Sequence, residues 1–276
     1  MSNPGEMRNV VILILSFVTS MVVLPTPRLP RENLLVYRDD KNETQPVRSM
    51  KDWQKRRAEF VRGMQEIMGK LPGKERRCPL DVKVDEEVDC GSYVRRLVTY
   101  ASEPFDAAQG RPNSRVPAYL CIPKSALVGN AKAPAVLCLH GTDNVVGHGV
   151  VVGLGNRPNR QYASELAERG YVTLAPNYPL LAKYQPDLQA LGWESGTLKA
   201  VWDNMRGLDL LESLPFVRRG KFGAIGHSLG GHNSVFTAVF DERIAAVVSS
   251  CGLDSFLDYY GGDRSEERRV GKECRL

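Results

Sequence analysis

From Ala135 onward the chain alternates short, continuous apolar runs with longer stretches in which apolar residues recur at helical spacing. Ala135-Val136-Leu137-Cys138-Leu139 is short and unbroken, as a parallel strand buried on both faces requires, and His140-Gly141 closes it as a turn. Residues 161–169 fit a helix stopped by Gly170, and residues 171–175 a strand with Pro176 as its breaker. In residues 197–214, Leu198, Val201, Trp202, Met205, Leu208 and Leu211 fall on one helical face. The apolar run 221–225, the helix-compatible segment 229–240 and a strand at 244–249 complete the series. Strand and helix in this order predict an α/β fold, a doubly wound, mostly parallel sheet with its site above the strand ends.

Upstream, residues 49–70 predict one amphipathic helix, with Trp53, Phe60, Val61, Met64, Ile67 and Met68 on one face and Gly69 ending it. Lys51, Lys55, Arg56, Arg57 and Arg62 read as its solvated side. Arg8 ahead of the apolar run 10–24, with Pro25 and Pro27 after it, reads as a secretory signal peptide, or as an uncleaved anchor because no small-x-small site follows. The expected organisation is a signal or anchor at 1–24, an extension carrying the helix at 25–92, an incomplete α/β domain at 93–263, and an artefactual tail at 264–276. Residues 105–114, rich in Gly, Pro, Asn and Asp, read as an insertion into a hairpin.

Composition narrows the partners. The formal net charge is +5, and +2 of it lies in the tail, where Arg264, Arg268, Arg269, Lys272 and Arg275 face Glu266, Glu267 and Glu273. The remaining +3 argues against nucleic acid, and no membrane partner is expected beyond the N-terminal anchor. Outside the tail with its Cys274, Cys78 and Cys90 could close a small loop, while Cys121 and Cys138 fall inside predicted strands as small buried hydrophobes, leaving Cys251. No cysteine or histidine spacing suggests a metal, and Gly153-Leu154-Gly155 lacks the third glycine of a dinucleotide loop, so no cofactor is expected. That glycine pair reads as a mobile loop. Residues 178–196, with Tyr184 and Trp193, are the expected pocket walls.

The chemistry concentrates in Gly226-His227-Ser228-Leu229-Gly230-Gly231, between a strand and a helix. A serine forced into so tight a turn needs side chains close to hydrogen two positions before and after it, which Gly226 and Gly230 supply. The turn lifts the Ser228 hydroxyl clear of the sheet as a nucleophile. It also aims the Leu229 N–H, at a helix N-terminus, where an oxyanion would form. Thr142, after His140-Gly141, is the expected second donor, and His140 is then structural.

Residues 94–263 resemble the dienelactone-hydrolase-like and acetyl xylan esterase branch of the α/β-hydrolases. The resemblance rests on the edge segment Arg115-Val116-Pro117-Ala118-Tyr119-Leu120, the Leu139-His140-Gly141 turn, Arg169-Gly170-Tyr171-Val172 with Ala175-Pro176, the serine turn, and Asp241-Glu242-Arg243-Ile244. It implies an α/β-hydrolase fold and acyl transfer through an acyl-enzyme. Dienelactone hydrolases carry cysteine where this chain has Ser228, which moves the expected substrate toward simple carboxylic esters, and export points to acetylated or acylated carbohydrate.

In that fold an acid and then a histidine follow the serine along the chain. Here only His232 follows, one turn along the elbow helix, and Asp254, Asp258 and Asp263 come one strand early for the usual acid. Residues 264–275 resemble a translated sequencing adapter. The expectation is therefore a sheet lacking its last strands and a chain that, as written, is nearly inactive. Two other readings stay open: a prolyl-oligopeptidase-type peptidase, for whose propeller the N-terminal region has no room, and a noncatalytic glycan-binding or structural relative.

Overall fold

The computed structural model describes residues 29, 33–105, 108, 110 and 114–253. The apolar run 10–24, most of the 105–114 insertion, Asp254, Asp258, Asp263 and the tail lie outside them. Contacts divide the chain into two units, 1–56 and 57–276. In the first, strands β1 (Val36–Arg38) and β2 (Thr44–Pro46) pair antiparallel. Asp39 holds their turn, its Oδ1 accepting the N–H groups of Lys41 at 3.0 Å and Glu43 at 2.9 Å. Helix α1 (Met50–Met68) opens on a reciprocal cap, Asp52 N–H donating to Ser49 Oγ at 3.2 Å and Ser49 Oγ to Asp52 Oδ2 at 2.8 Å.

The second unit is built on one seven-stranded sheet: β3 (Lys83–Asp89), β4 (Tyr93–Glu103), β5 (Ser114–Pro123), β6 (Ala135–Leu139), β7 (Val172–Pro176), β8 (Phe222–His227) and β9 (Ile244–Ser250). Their spatial order is β3-β4-β5-β7-β6-β8-β9. The pairings among β7, β6, β8 and β9 are parallel, those joining β3, β4, β5 and β7 antiparallel. Hence β4, β6, β7, β8 and β9 share one direction and only β3 and β5 oppose it. The sheet starts inside the stretch that the sequence assigns to the N-terminal extension. The expected edge segment 115–120 is interior, held between β4 and β7.

The short α2 (Lys124–Val128) follows β5, longer helices cover both faces, and strand alternation sorts the side chains between them. Ala135, Leu137 and Leu139 of β6 join Leu174 of β7 and Leu208, Leu210 and Leu211 of α4 (Gly196–Ser213). Val136 and Cys138 turn the other way, toward Ala163 and Ala167 of α3 (Tyr162–Glu168). A strand buried on both faces can be apolar throughout, as β6 is. Helix α5 (Leu229–Phe240) lies beside α4, where Asn204 Nδ2 donates to Thr237 Oγ1 at 3.0 Å. The end of α1 joins a smaller cluster, with Met68 against Leu191, Trp193 and Trp202, and Gly69 at φ +97° turns the chain away. Ile67, expected on that apolar face, is exposed, whereas Arg57 of the expected solvated side donates to the Val239 carbonyl at 2.6 Å.

All five cysteines among the described residues are free, so Cys78 and Cys90 are not bridged. Cys121 and Cys138 are buried as expected, and burial pushes the Cys121 thiol up to about 12.

A charge network sits in the core between α4 and β4. Lys199, fully buried, pairs with Asp203 and with Glu103 Oε1 at 3.2 Å, and donates to Ser102 Oγ and Tyr184 OH, each at 3.1 Å. Tyr184 OH donates to Asp203 Oδ2 and Trp193 Nε1 to Glu103 Oε1, both at 2.8 Å, while Arg76 pairs with Glu103 Oε2. Burial pushes the Asp203 carboxyl upward, with Lys199 opposing. Tyr184 and Trp193 are thus not pocket walls: their polar atoms are consumed in satisfying two buried carboxylates. Removing one partner of such a network leaves uncompensated charge. Lys199→Met is expected to cost about 3–5 kcal/mol in urea unfolding followed by tryptophan fluorescence; a loss below about 1 kcal/mol, the range of exposed pairs, would show that the network contributes no more than surface bridges do.

Candidate active site

Only Ser228 separates β8 from α5, so the chain must reverse on a single residue. It does so at φ +54°, ψ −121°, outside the regions a side chain prefers, a conformation that costs roughly 1–3 kcal/mol and persists only where surroundings enforce it. The surroundings are backbone. A Cβ on Gly226 would stand 2.2 Å from the carbonyl of Gly230, and one on Gly230 would stand 1.9 Å from the Leu139 oxygen at the end of β6. Two further glycines complete the cradle: a Cβ on Gly231 would meet Ser249 Oγ at 2.9 Å, and one on Gly252 the Gly231 carbonyl carbon at 2.4 Å. The Ser228 N–H donates to Ser250 O at 2.8 Å, tying the turn to β9.

The first bond of α5 runs from His232 N–H to Ser228 O, so the amides of Leu229, Gly230 and Gly231 have no acceptor inside the helix. Ser228 is exposed at the floor of a cleft of about 190 Å³. Gly141 and Thr142 form its wall beside the serine, and the approach is close enough that a Cβ on Gly141 would lie 3.7 Å from Ser228 Cβ. Nucleophile candidate and both candidate donors, Leu229 and Thr142, therefore meet where β6 and β8 end.

The turn after Thr142 is fixed by a residue that sequence reasoning passed over. Asp143 Oδ1 accepts the N–H groups of Val145 at 3.0 Å, Val146 at 2.6 Å and Gly147 at 3.2 Å, and its Oδ2 pairs with Arg157 at 3.0 Å. Burial raises this carboxyl, but the three amides and Arg157 outweigh it and hold it below its ordinary range. Its signal was present: an Asp in a loop can accept backbone N–H groups two and three residues on as an Asx-turn, as Asp143 does ahead of the 3₁₀ segment Gly147–Val152. That segment is fully buried, and the glycine pair Gly153 and Gly155 read as a loop follows it at the surface.

None of the four histidines hydrogen-bonds to Ser228 among the described residues. His140 spends both ring nitrogens, Nδ1 on Gly141 O at 2.8 Å and Nε2 accepting from Tyr178 N–H at 3.0 Å, which is the structural role expected of it. His232 packs on Phe236, ring centroids 3.9 Å apart, and burial lowers its pKa. His227 lines the cleft with Nδ1 3.1 Å from Ser250 Oγ; burial and the Arg160 charge keep it below the ordinary histidine value. His148 is buried against Tyr119 with both nitrogens unpartnered, and burial, with His140 adding repulsion, pushes its pKa down to about 3.

Among the described residues no group of His, Cys, Asp and Glu is arranged to hold a metal ion, and no helix is long and apolar enough to cross a membrane.

A family profile described as the dienelactone hydrolase family matches residues 116–266. The YtaP protein of Bacillus subtilis (strain 168) is 26% identical over 149 residues, which are 50% of this chain and 49% of that protein, so the match spans about half the relative's length. A glucuronoyl esterase from Solibacter usitatus superposes with a TM-score of 0.61 at 21% identity, over 90% of this chain and 71% of that one. A CE15 glucuronoyl esterase from Teredinibacter turnerae T7901 gives 0.56 at 20%, over 80% and 56%. A Bacteroides fragilis NCTC 9343 protein provisionally assigned as an acetyl xylan esterase gives 0.52 at 21%, over 71% and 53%. At these identities the structural likeness is one of fold.

Two outcomes follow from the geometry. Gly230→Ala drives a methyl into backbone that cannot yield and is expected to cost about 3 kcal/mol or more, whereas Gly63→Ala, in the open on α1, is expected to stabilise by up to about 1 kcal/mol; equal melting temperatures would refute the cradle. His148 titrates near 6.5 when unfolded and near 3 when folded, so stability is full above about 6.5 and falls as pH drops toward 3, by up to about 1.4 kcal/mol per pH unit. His148→Phe should flatten that slope in melting curves taken between pH 7.5 and 5, and a slope identical to the parent's would contradict the assignment.

Proposed function

This chain belongs to the dienelactone hydrolase family, and we propose that it is a serine hydrolase of carboxylic esters, with Ser228 as nucleophile and the N–H groups of Leu229 and Thr142 as the oxyanion hole. The observation that carries the reading is the serine held at positive φ by a glycine cradle at the floor of an open cleft. Strain of that kind is retained where a side chain must be presented, and nothing in packing alone asks for it.

In the proposed reaction the Ser228 hydroxyl loses its proton to a general base as its oxygen attacks the ester carbonyl. The developing oxyanion is received by the two N–H groups, and the alcohol leaves with a proton, giving an acyl-serine. Water attacks that acyl group, releases the acid and restores the hydroxyl. None of the four histidines hydrogen-bonds to Ser228 among the described residues, so the proposal assigns the base to none of them. Asp143 acts as a positioning residue, since it fixes the three amides that follow the Thr142 turn.

We propose small esters of acylated carbohydrates as the substrate class. The polar, open cleft and a fold shared with proteins named as glucuronoyl esterases support this. Export, as a periplasmic or extracellular enzyme, is proposed on Arg8 and the apolar run 10–24. Ser228→Ala is expected to lower hydrolysis of 4-nitrophenyl acetate by about a thousandfold or more and to abolish labelling by a fluorophosphonate probe. Labelling of the unsubstituted protein at another residue, or an unchanged rate in the variant, would defeat the assignment.

A further inference from the structure

We propose that the Tyr162 hydroxyl is a positioning group for the reaction at Ser228, because it anchors the Leu139 carbonyl and with it the turn that presents the Thr142 N–H. The inference rests on the esterase reading, which is what gives Thr142 its task.

Sheet pairing thins out at the end of β6. Its register with β7 stops at Leu137 opposite Leu174, and only β8 continues beside it, as far as Leu139 opposite Gly226. The chain then leaves the sheet through His140, Gly141 and Thr142. A side chain reinforces the last carbonyl of the strand: the Tyr162 hydroxyl, on the first residue of α3, donates to Leu139 O. The elbow helix closes on that same oxygen, since a Cβ on Gly230 would stand 1.9 Å from it. Three elements therefore meet at one atom, which β6 owns, α3 bonds through Tyr162, and α5 packs on through Gly230.

Thr142 lies between two anchors. After it, Asp143 gathers the amides of Val145, Val146 and Gly147. Before it, Tyr162 holds Leu139, and the His140 ring is braced on Gly141 O and the Tyr178 N–H. An oxyanion donor is effective when it is aimed in advance, because no stabilisation is then spent on turning it during the reaction. A misplacement of about 1 Å can cost about a hundredfold in rate. The Tyr162 hydroxyl suits the task. Burial raises its pKa, with the His227 backbone amide opposing, so it stays protonated and remains a donor. Its ring packs on the cluster that contains Val136 and Cys138, and the side chain also lines the cleft.

Tyr162→Phe deletes the hydroxyl and keeps the ring. With 4-nitrophenyl acetate, kcat is expected to fall about tenfold or more with KM nearly unchanged, and the rate at which a fluorophosphonate labels Ser228 to fall in parallel. Tyr100→Phe controls for the loss of a hydroxyl-to-carbonyl bond alone. Tyr100 donates to Asp203 O at 2.9 Å in the core and does not line the cleft, so both rates should stay as they are. Replacing Tyr162 by 4-aminophenylalanine returns an N–H donor to the same place and should recover most of the loss. Unchanged kcat and labelling in Tyr162→Phe, or an equal fall in Tyr100→Phe, overturns the positioning role. So does a rise in KM alone, which would make the tyrosine a substrate contact. If the unsubstituted protein neither hydrolyses the ester nor is labelled at Ser228, the esterase reading fails and takes this role with it. Hydrolysis and labelling that are indifferent to Tyr162→Phe remove this role and leave the esterase reading standing.

Discussion

Where α5 begins, its backbone approaches the end of β6 so closely that a single methyl group has no place between Gly230 and the Leu139 carbonyl. Much else in the site follows from that contact. It sets β8 beside β6 at this end, so the turn leaving β6 and the turn leaving β8 open into the same space. It forces the reversal at Ser228 onto one residue, which lines the same cleft as Thr142. The cost in backbone strain is met by the surrounding sheet, through the Ser228–Ser250 bond and the packing of α5 on α4.

A second centre, away from the cleft, holds the layer beneath it. Lys199 joins α4 to β4 through Glu103 and to the long connection before α4 through Tyr184, with Trp193 and Arg76 closing the set. Charges of both signs are buried together there, so the network is better understood as fixing one arrangement of α4 against the sheet than as a large source of net stability. Helix α4 starts on a Ser195 cap whose hydroxyl also donates to the Met68 carbonyl at 2.8 Å, which links the end of α1 to the same layer.

The hydrolase elements were legible wherever local pattern and tertiary environment agree. Residues 135–139 are apolar because both faces of β6 are covered, and the limits of α5 match the stretch read from its spacing. Ser228 could be singled out because its steric demand falls on near neighbours in sequence. Strand β3 was not seen: Lys-Val-Asp-Glu-Glu-Val-Asp is almost wholly exposed at the sheet margin, where no apolar alternation is required. Tyr184 and Trp193 were misplaced because only the fold shows that Glu103 and Asp203 are buried and need donors. The Gly231–Gly252 approach joins residues that meet across the α5–β9 contact, and Asp143 pairs with Arg157 fourteen positions on. Such relations are long-range and leave no local trace.

Apart from His227 and Ser228, every residue lining the cleft comes from the one stretch between Gly141 and Tyr162. Ser228 belongs to the elbow at the sheet's edge of the cleft, but the walls belong to one stretch that runs from the end of β6 to the first residue of α3. The strained turn and most of the walls around it are therefore separate along the chain. Exchange of that one cassette between relatives could re-specify what is bound while leaving the strained turn, and the sheet that enforces it, untouched.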